Sequence, residues 1–124
     1  MASILVVDDQ AQMLDVIRRM LSKVGHEITT ASDGGEAIRL LTDGPLPDLV
    51  ITDLIMPGQE GMETIMIIRE RFPGVKIIAM SGGGQVSGLE YLPSASAMGA
   101  HQTLAKPFST EALRTTVNAA LADT

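Results

Sequence analysis

The sequence predicts an α/β domain in which five strands alternate with five helical segments around a doubly wound parallel sheet. Short apolar runs recur along the chain, and longer amphipathic stretches lie between them. Brief, nearly continuous apolar runs are typical of strands that are buried on both faces of a parallel sheet. Their alternation with helices implies right-handed crossovers and three layers, with helices on both faces of the sheet.

The positions of apolar residues define the strands and the first helix. The predicted strands are Ser3-Val7, Glu27-Ala31, Leu49-Thr52, Val75-Ala79 and Thr103-Ala105. Between the first two strands, one apolar helical stripe is formed by Leu14, Ile17, Leu21 and Val24. Asp9 and Gln12 have the spacing of a capping box, so Asp9 is the predicted cap of this helix.

The second and third helices have recognisable ends. Asp33 and Glu36 repeat the capping-box spacing, and Gly44-Pro45 predicts the end of the second helix. The third helix is predicted from about Glu60 to Arg71, because Pro73-Gly74 follows and stops it.

The last helix and the region before it differ in regularity. Ser109 is the predicted cap of the last helix, and Phe108 and Leu113 form a hydrophobic staple around it. Before this helix, the glycine-rich stretch from Gly82 to Gly88 predicts a long mobile loop after the fourth strand. Pro93 fits the first turn of a shortened fourth helix.

The size and charge of the chain restrict its possible functions. With 124 residues and 45% hydrophobic content, it has the size of one domain, residues 1–124. Nine Lys and Arg stand against fifteen Asp and Glu, a formal net charge of −6 that disfavours nucleic-acid binding. The absence of Cys excludes disulfides and thiolate chemistry. No apolar run approaches the roughly 20 residues of a membrane helix, and signal-peptide features are missing, so we expect a cytoplasmic protein without membrane contact.

Polar side chains stand at the carboxyl ends of four predicted strands. They are Asp8, Asp9, Asp53, Ser81 and Lys106. In an open parallel sheet, ligands bind beyond these strand ends, where the strand order reverses. Two carboxylates about 4 Å apart repel by roughly 4 kcal/mol at an effective dielectric constant near 20, so three acids need a counter-charge. A divalent cation and Lys106 would supply it, and oxygen ligands without His or Cys indicate Mg2+.

Each of these residues also has an ordinary structural interpretation. Asp8 and Asp9 are favourable helix caps on their own. Ser81 suits a turn before glycines, and Lys106 suits a solvated strand end. Their joint occurrence at several strand ends favours a site instead. There, a carboxylate can attack phosphorus and form an acyl phosphate if charge on the phosphoryl oxygens is neutralised.

Four short motifs mark the ends of these four strands. They are Val6-Val7-Asp8-Asp9, Asp53-Leu54-Ile55-Met56-Pro57, Met80-Ser81-Gly82 and Lys106-Pro107-Phe108. In order and spacing they resemble the receiver domain of two-component response regulators, and the resemblance covers essentially the whole chain. It implies a flavodoxin-like three-layer sandwich of the chemotaxis-regulator type with strand order 2-1-3-4-5. The length of 124 residues adds the expectation of a single-domain response regulator, with a fragment of a longer regulator as the alternative.

The resemblance further implies a role for each site residue. Asp53 would be the phosphoacceptor, and Ser81 and Lys106 would bind the phosphoryl group. Mg2+ would be held by Asp8, Asp9, Asp53 and the backbone carbonyl of Ile55. The family has a cis peptide bond before the proline that follows this lysine, so the Lys106-Pro107 bond is expected to be cis.

One position departs from the family pattern. Three positions before Lys106 the family usually carries Tyr or Phe, whose rotation accompanies activation, whereas this chain has Thr103. The usual aromatic readout is therefore not expected. We hypothesise that the glycine-rich loop from Gly82 to Leu92 changes state instead.

The expected function is a phosphorylation-controlled binding module. A histidine kinase or phosphotransfer protein would donate the phosphoryl group, and the face formed by the fourth helix, fifth strand and fifth helix would change its protein partner. The domain would turn over no external substrate, so it is not expected to be an enzyme in that sense. A haloacid-dehalogenase-type phosphatase is disfavoured because Ile55 and Gln10 stand where a second Asp is needed. A flavodoxin-like flavin carrier is disfavoured because acids after the first strand would repel the flavin phosphate.

Overall fold

Five parallel strands and four helices form the described part of the chain. The computed structural model describes residues 2–54, 61–82 and 99–122. In chain order, the elements are β1 (Ser3–Val7), α1 (Ala11–Ser22), β2 (Glu27–Ala31), α2 (Gly34–Asp43), β3 (Leu49–Asp53), α3 (Gly61–Arg71), β4 (Lys76–Gly82), β5 (Gln102–Lys106) and α4 (Thr110–Ala122). All neighbouring strands pair in parallel, in the order β2-β1-β3-β4-β5. The predicted fold class and strand order are confirmed.

The last three strands run further than the apolar runs predict. Asp53 is the last residue of β3 and pairs with Met80, and Lys106 is the last residue of β5 and pairs with Gly82. Ser81 also lies within β4. Backbone pairing does not depend on side-chain polarity, so the ladder continues through residues that a hydrophobicity pattern assigns to the following loop. The polar side chains are thus fixed by strand geometry.

The sheet separates two apolar clusters, one for each helical layer. The first cluster includes Leu5, Val7, Val50, Ile77 and Ala79 of the sheet, with Ala37 and Leu41 of α2 and Ile65 and Ile68 of α3. The second includes Ile4, Val6, Ile51, Ile78 and Met80, with Ile17 and Leu21 of α1 and Leu113, Val117 and Ala120 of α4. Alternate residues of each central strand enter opposite clusters, which is the period-two pattern of a strand covered on both faces.

Two of the predicted helix caps are present. The side chain of Asp33 accepts a hydrogen bond from the Glu36 backbone N–H at 2.7 Å, and Glu36 in turn accepts from the Ser32 N–H at 2.7 Å. The hydroxyl of Ser109 accepts from the Ala112 N–H at 3.0 Å. These caps satisfy N–H groups that the first helical turn leaves without partners.

The predicted cap of α1 is wrong. Gln10, and not Asp9, occupies the cap position, and its side chain makes no capping hydrogen bond. The carboxylate of Asp8 instead accepts the Gln10 backbone N–H at 2.9 Å, and α1 starts only at Ala11. Asp8 and Asp9 therefore lie in the segment between β1 and α1, and neither occupies the cap position of α1.

Both histidines have structural hydrogen bonds in the described part of the chain. Nδ1 of His26 accepts the Ala2 N–H at 3.0 Å, and Nδ1 of His101 accepts the Ile77 N–H at 3.0 Å. The predicted helix near Pro93 and most of the glycine-rich loop lie outside the described residues. None of the described helices is long and apolar enough to span a membrane.

We expect Asp33→Ala to lower the free energy of unfolding by about 1 kcal/mol, because α2 loses its cap. Urea denaturation measures the change. Asp43→Ala is the control: it removes the same side chain from the exposed far end of the same helix, and we expect almost no loss. Equal losses in the two variants would contradict the assigned cap.

The pH dependence of stability should include a contribution from His26. Burial, and then the positive charge of the amino terminus, lower the pKa of His26 below its ordinary value of 6.5. Its contribution to stability is therefore fully present above pH 6.5 and is lost as the pH falls through the lowered pKa. We expect the free energy of unfolding to fall less between pH 8 and pH 5 in His26→Gln than in the wild type. Parallel pH profiles from urea denaturation would rule this contribution out.

Candidate functional site

The parallel register brings four strand ends to one edge of the sheet. Val7 pairs with Thr52, so Asp8 and Asp53 follow at neighbouring positions. On the other side of β3, Asp53 pairs with Met80 of β4. Residues that lie far apart in sequence are therefore adjacent at the edge where open parallel sheets bind ligands.

Three carboxylates meet at this edge. One carboxylate oxygen from each of Asp8, Asp9 and Asp53 lies within 4.8 Å of the other two. Asp8 is fully buried, Asp53 is 8% exposed, and Asp9 is exposed. At 4.8 Å and an effective dielectric constant near 20, two unit charges repel by about 3.5 kcal/mol, and solvent screening reduces this repulsion at the exposed Asp9. Nearby positive charge would therefore stabilise the cluster.

Lys106 supplies part of that charge. Its Nζ lies 2.8 Å from Oδ2 of Asp8 and 3.6 Å from Oδ2 of Asp53, and its side chain is only 12% exposed. The other oxygen of Asp8 accepts the Gln10 N–H, so both oxygens of this buried carboxylate have donors. Among the described residues, one ammonium and three carboxylates leave an excess of negative charge at this edge. Hard oxygen ligands around that excess fit a divalent ion such as Mg2+.

Ser81 adds a buried hydroxyl near the same edge. The residue is 1% exposed, and its Oγ has no hydrogen-bond partner among the described residues. Ser81 pairs with Ala105, the residue before Lys106. A buried polar group without a partner costs roughly 1–3 kcal/mol, so its retention here is consistent with a ligand that brings oxygen atoms.

The structure describes two of the three remaining predicted site features. The peptide bond between Lys106 and Pro107 is cis. Thr103 lies on β5, partly buried, and pairs with Ala79. Ile55 lies outside the described residues, so its predicted role as a carbonyl ligand stays a prediction.

Two neighbours of Asp53 were not predicted from the sequence. The buried hydroxyl of Thr52 donates to the Asp53 carbonyl at 3.1 Å. Gly61, the first residue of α3, packs directly on the backbone of Asp53 and Leu54. A glycine inside a predicted helix, where glycine is unfavourable, was the available signal for the second contact.

Comparison with known proteins agrees with this geometry. The sequence model of the family described as "Response regulator receiver domain" matches residues 4–118. The chain belongs to the response regulator receiver domain family. The acid cluster formed by Asp8, Asp9 and Asp53 is typical of the Mg2+ site in receiver domains.

The chain is similar to receiver domains in proteins of different length. It is 35% identical over 120 residues to the DNA-binding transcriptional regulator NtrC of Azospirillum brasilense, which covers 97% of this chain but 24% of that protein. A receiver domain protein from Clostridium thermocellum has a TM-score of 0.88 and 34% identity, covering 98% of this chain and 94% of that one. The regulator TrrA from Thermotoga maritima, in complex with Mg2+ and BeF, has a TM-score of 0.83 and 33% identity, covering 95% and 97%.

We expect Asp9→Asn to raise the free energy of unfolding in the absence of divalent ions by up to about 1 kcal/mol, because one repelling charge is removed from an exposed position. We also expect added Mg2+ to stabilise this variant less than it stabilises the wild type. Thermal unfolding with EDTA and with Mg2+ measures both effects.

The control for this prediction is Asp43→Asn, which changes the net charge equally at the exposed end of α2. We expect it to leave the Mg2+ effect unchanged. If Asp9→Asn destabilised the ion-free protein, or kept the full Mg2+ effect, the described charge balance would be incorrect.

Proposed function

We propose that this receiver domain is a phosphorylation-controlled switch whose phosphoacceptor is Asp53. The observation that carries the proposal is the convergence of three acids, the Lys106 ammonium and the Ser81 hydroxyl at one sheet edge, where that hydroxyl has no hydrogen-bond partner among residues 2–54, 61–82 and 99–122. A histidine kinase or a phosphotransfer protein would supply the phosphoryl group, as is general for the family to which the chain belongs.

The three acids of this site would also hold Mg2+. Asp8, Asp9 and Asp53 offer carboxylate oxygens, and the backbone carbonyl of Ile55 is the further predicted ligand. When bound, the ion would neutralise charge on the phosphoryl oxygens and on the acids. The related TrrA structure contains Mg2+ together with BeF, which supports this assignment.

The proposed transfer step gives each side chain a role. A carboxylate oxygen of Asp53 bonds to phosphorus while the bond from phosphorus to the donor imidazole nitrogen breaks, and that nitrogen keeps the bonding electron pair. Lys106, already within 3.6 Å of Asp53, pairs with a phosphoryl oxygen. The Ser81 hydroxyl donates a hydrogen bond to another phosphoryl oxygen. Both groups stabilise negative charge that is spread over the phosphoryl oxygens during transfer.

The domain would act through protein contact in the cytoplasm. Hydrolysis of its own acyl phosphate would reset the switch, so it turns over no external substrate. The relative NtrC is named as a DNA-binding regulator, and this chain matches 24% of its length. The formal net charge of −6 disfavours direct nucleic-acid contact by this domain, so we propose a protein as its downstream partner.

Incubation with acetyl phosphate and Mg2+ tests the proposal. We expect intact mass to increase by about 80 Da, one phosphoryl group, because Asp53 is the one proposed phosphoacceptor. Asp53→Ala should show no increase. Asp48→Ala is the matched control. Asp48 precedes β3, whose other end is Asp53, and its carboxylate accepts a hydrogen bond from the Ser3 N–H.

Modification of Asp53→Ala to the same extent as the wild type would exclude Asp53 as the phosphoacceptor. An unmodified wild-type protein that still binds Mg2+ would argue against the switch itself. Omission of Mg2+ should reduce the wild-type reaction to background.

A further inference from the structure

The first residue of α3 touches the backbone that carries the phosphoacceptor. Gly61 is buried, and a Cβ added to it would overlap the carbonyl oxygen of Asp53. The same Cβ would lie 2.5 Å from Cα and 2.7 Å from C of Leu54. These atoms belong to the backbone, so no side-chain rotation could relieve the overlap. Only a residue without a side chain fits this contact.

Two hydrogen bonds hold the same backbone in place. The Leu54 N–H donates to the Met80 carbonyl of β4 at 2.9 Å, and the Leu54 carbonyl accepts the Gly61 N–H at 3.0 Å. Leu54 itself is 2% exposed. The residue after Asp53 is therefore held between β4 on one side and the start of α3 on the other.

We propose that Gly61 is a positioning residue for Asp53. Its missing side chain lets α3 approach the strand end closely, and that approach sets where the Asp53 carboxylate lies relative to Asp8 and Lys106. The inference rests on the proposed function of Asp53. It adds that a residue outside the charged cluster, with no contact to the phosphoryl group, affects the Mg2+ affinity of the cluster and the rate of its modification.

The size of the effect follows from the contact distances. Restoring ordinary van der Waals contact at Leu54 Cα needs a separation of at least 3.4 Å in place of 2.5 Å. The helix start, the Asp53–Leu54 backbone, or both must move by roughly 1 Å. Displacements of this order at a reacting group can reduce a rate by about 100-fold. The same displacement would change the spacing of the acid oxygens, which lie within 4.8 Å of one another. We therefore expect the affinity for Mg2+ to fall as well.

The test compares Gly61→Ala with Gly35→Ala. Gly35 lies in the first turn of α2, and a Cβ there would meet only the Asp33 Oδ1 atom, at an ordinary 3.4 Å. Both variants remove one glycine from a helix start, but only Gly61→Ala overlaps the backbone. Mg2+ affinity is measured by calorimetry, and the rate of acetyl phosphate modification by intact mass. Both are measured at a temperature where urea curves show the proteins to be folded.

We expect Gly61→Ala to weaken Mg2+ binding and to slow modification, each by at least about 10-fold. Gly35→Ala should stay within about two-fold of the wild type. A purely structural role predicts a lower unfolding free energy with unchanged Mg2+ affinity in the folded protein, and that result would overturn the proposal. If the wild type binds Mg2+ but is never modified, the proposed function fails, while the Mg2+ comparison still decides the role of Gly61.

Hydrogen exchange of the wild type decides the matter if Gly61→Ala does not fold. Coupling between two sites is reciprocal, so Mg2+ should slow exchange of the Gly61 and Leu54 amides. The reference is the Ala37 amide, which makes a comparable first-turn hydrogen bond to the Asp33 carbonyl at 3.1 Å. Equal slowing at all three amides would show that Gly61 is not coupled to the acid cluster.

Discussion

The contact between the Lys106 ammonium and the buried Asp8 carboxylate is the interaction on which the site depends. Three acids gather at one sheet edge, and Lys106 is the cation that contacts two of them in the described part of the chain. Removing a charged group from water is costly, and a buried pair offsets that cost only when its geometry is good. The 2.8 Å contact, together with the Gln10 N–H on the other Asp8 oxygen, meets this condition.

The site is unfavourable in isolation, and the rest of the fold compensates for it. Mutual repulsion of the acids and the buried Ser81 hydroxyl both oppose folding. Two apolar clusters, one on each face of the sheet, supply the opposing free energy. Their residues alternate along the same strands that end in charged side chains. The core therefore fixes the register, and the register fixes the distances between the charges.

Much of this architecture could be predicted from the sequence, because burial leaves a periodic pattern. The bounds of β1 and β2 and the cap at Asp33 were predicted correctly, since apolar runs and capping spacing are local signals. The cap of α1 was predicted wrongly because Asp9 belongs to a cluster assembled by tertiary contacts. The glycine at position 61 was an unusual choice for a helix start, but the sequence did not identify the backbone of Asp53 and Leu54 as its contact. That contact depends on where α3 meets the sheet, which no spacing encodes.

The acids and the lysine extend from strands at different positions in the sheet. Asp8 and Asp53 extend from the interior strands β1 and β3, each of which has a strand on both sides. Lys106 ends β5, one of the two edge strands, which is joined to the described sheet along one side only. The negative charges thus lie on strands that are paired on both sides, and the positive charge lies on a strand that is paired on one side. Of the charged groups of the site, Lys106 is therefore the one that extends from an edge strand of the described sheet.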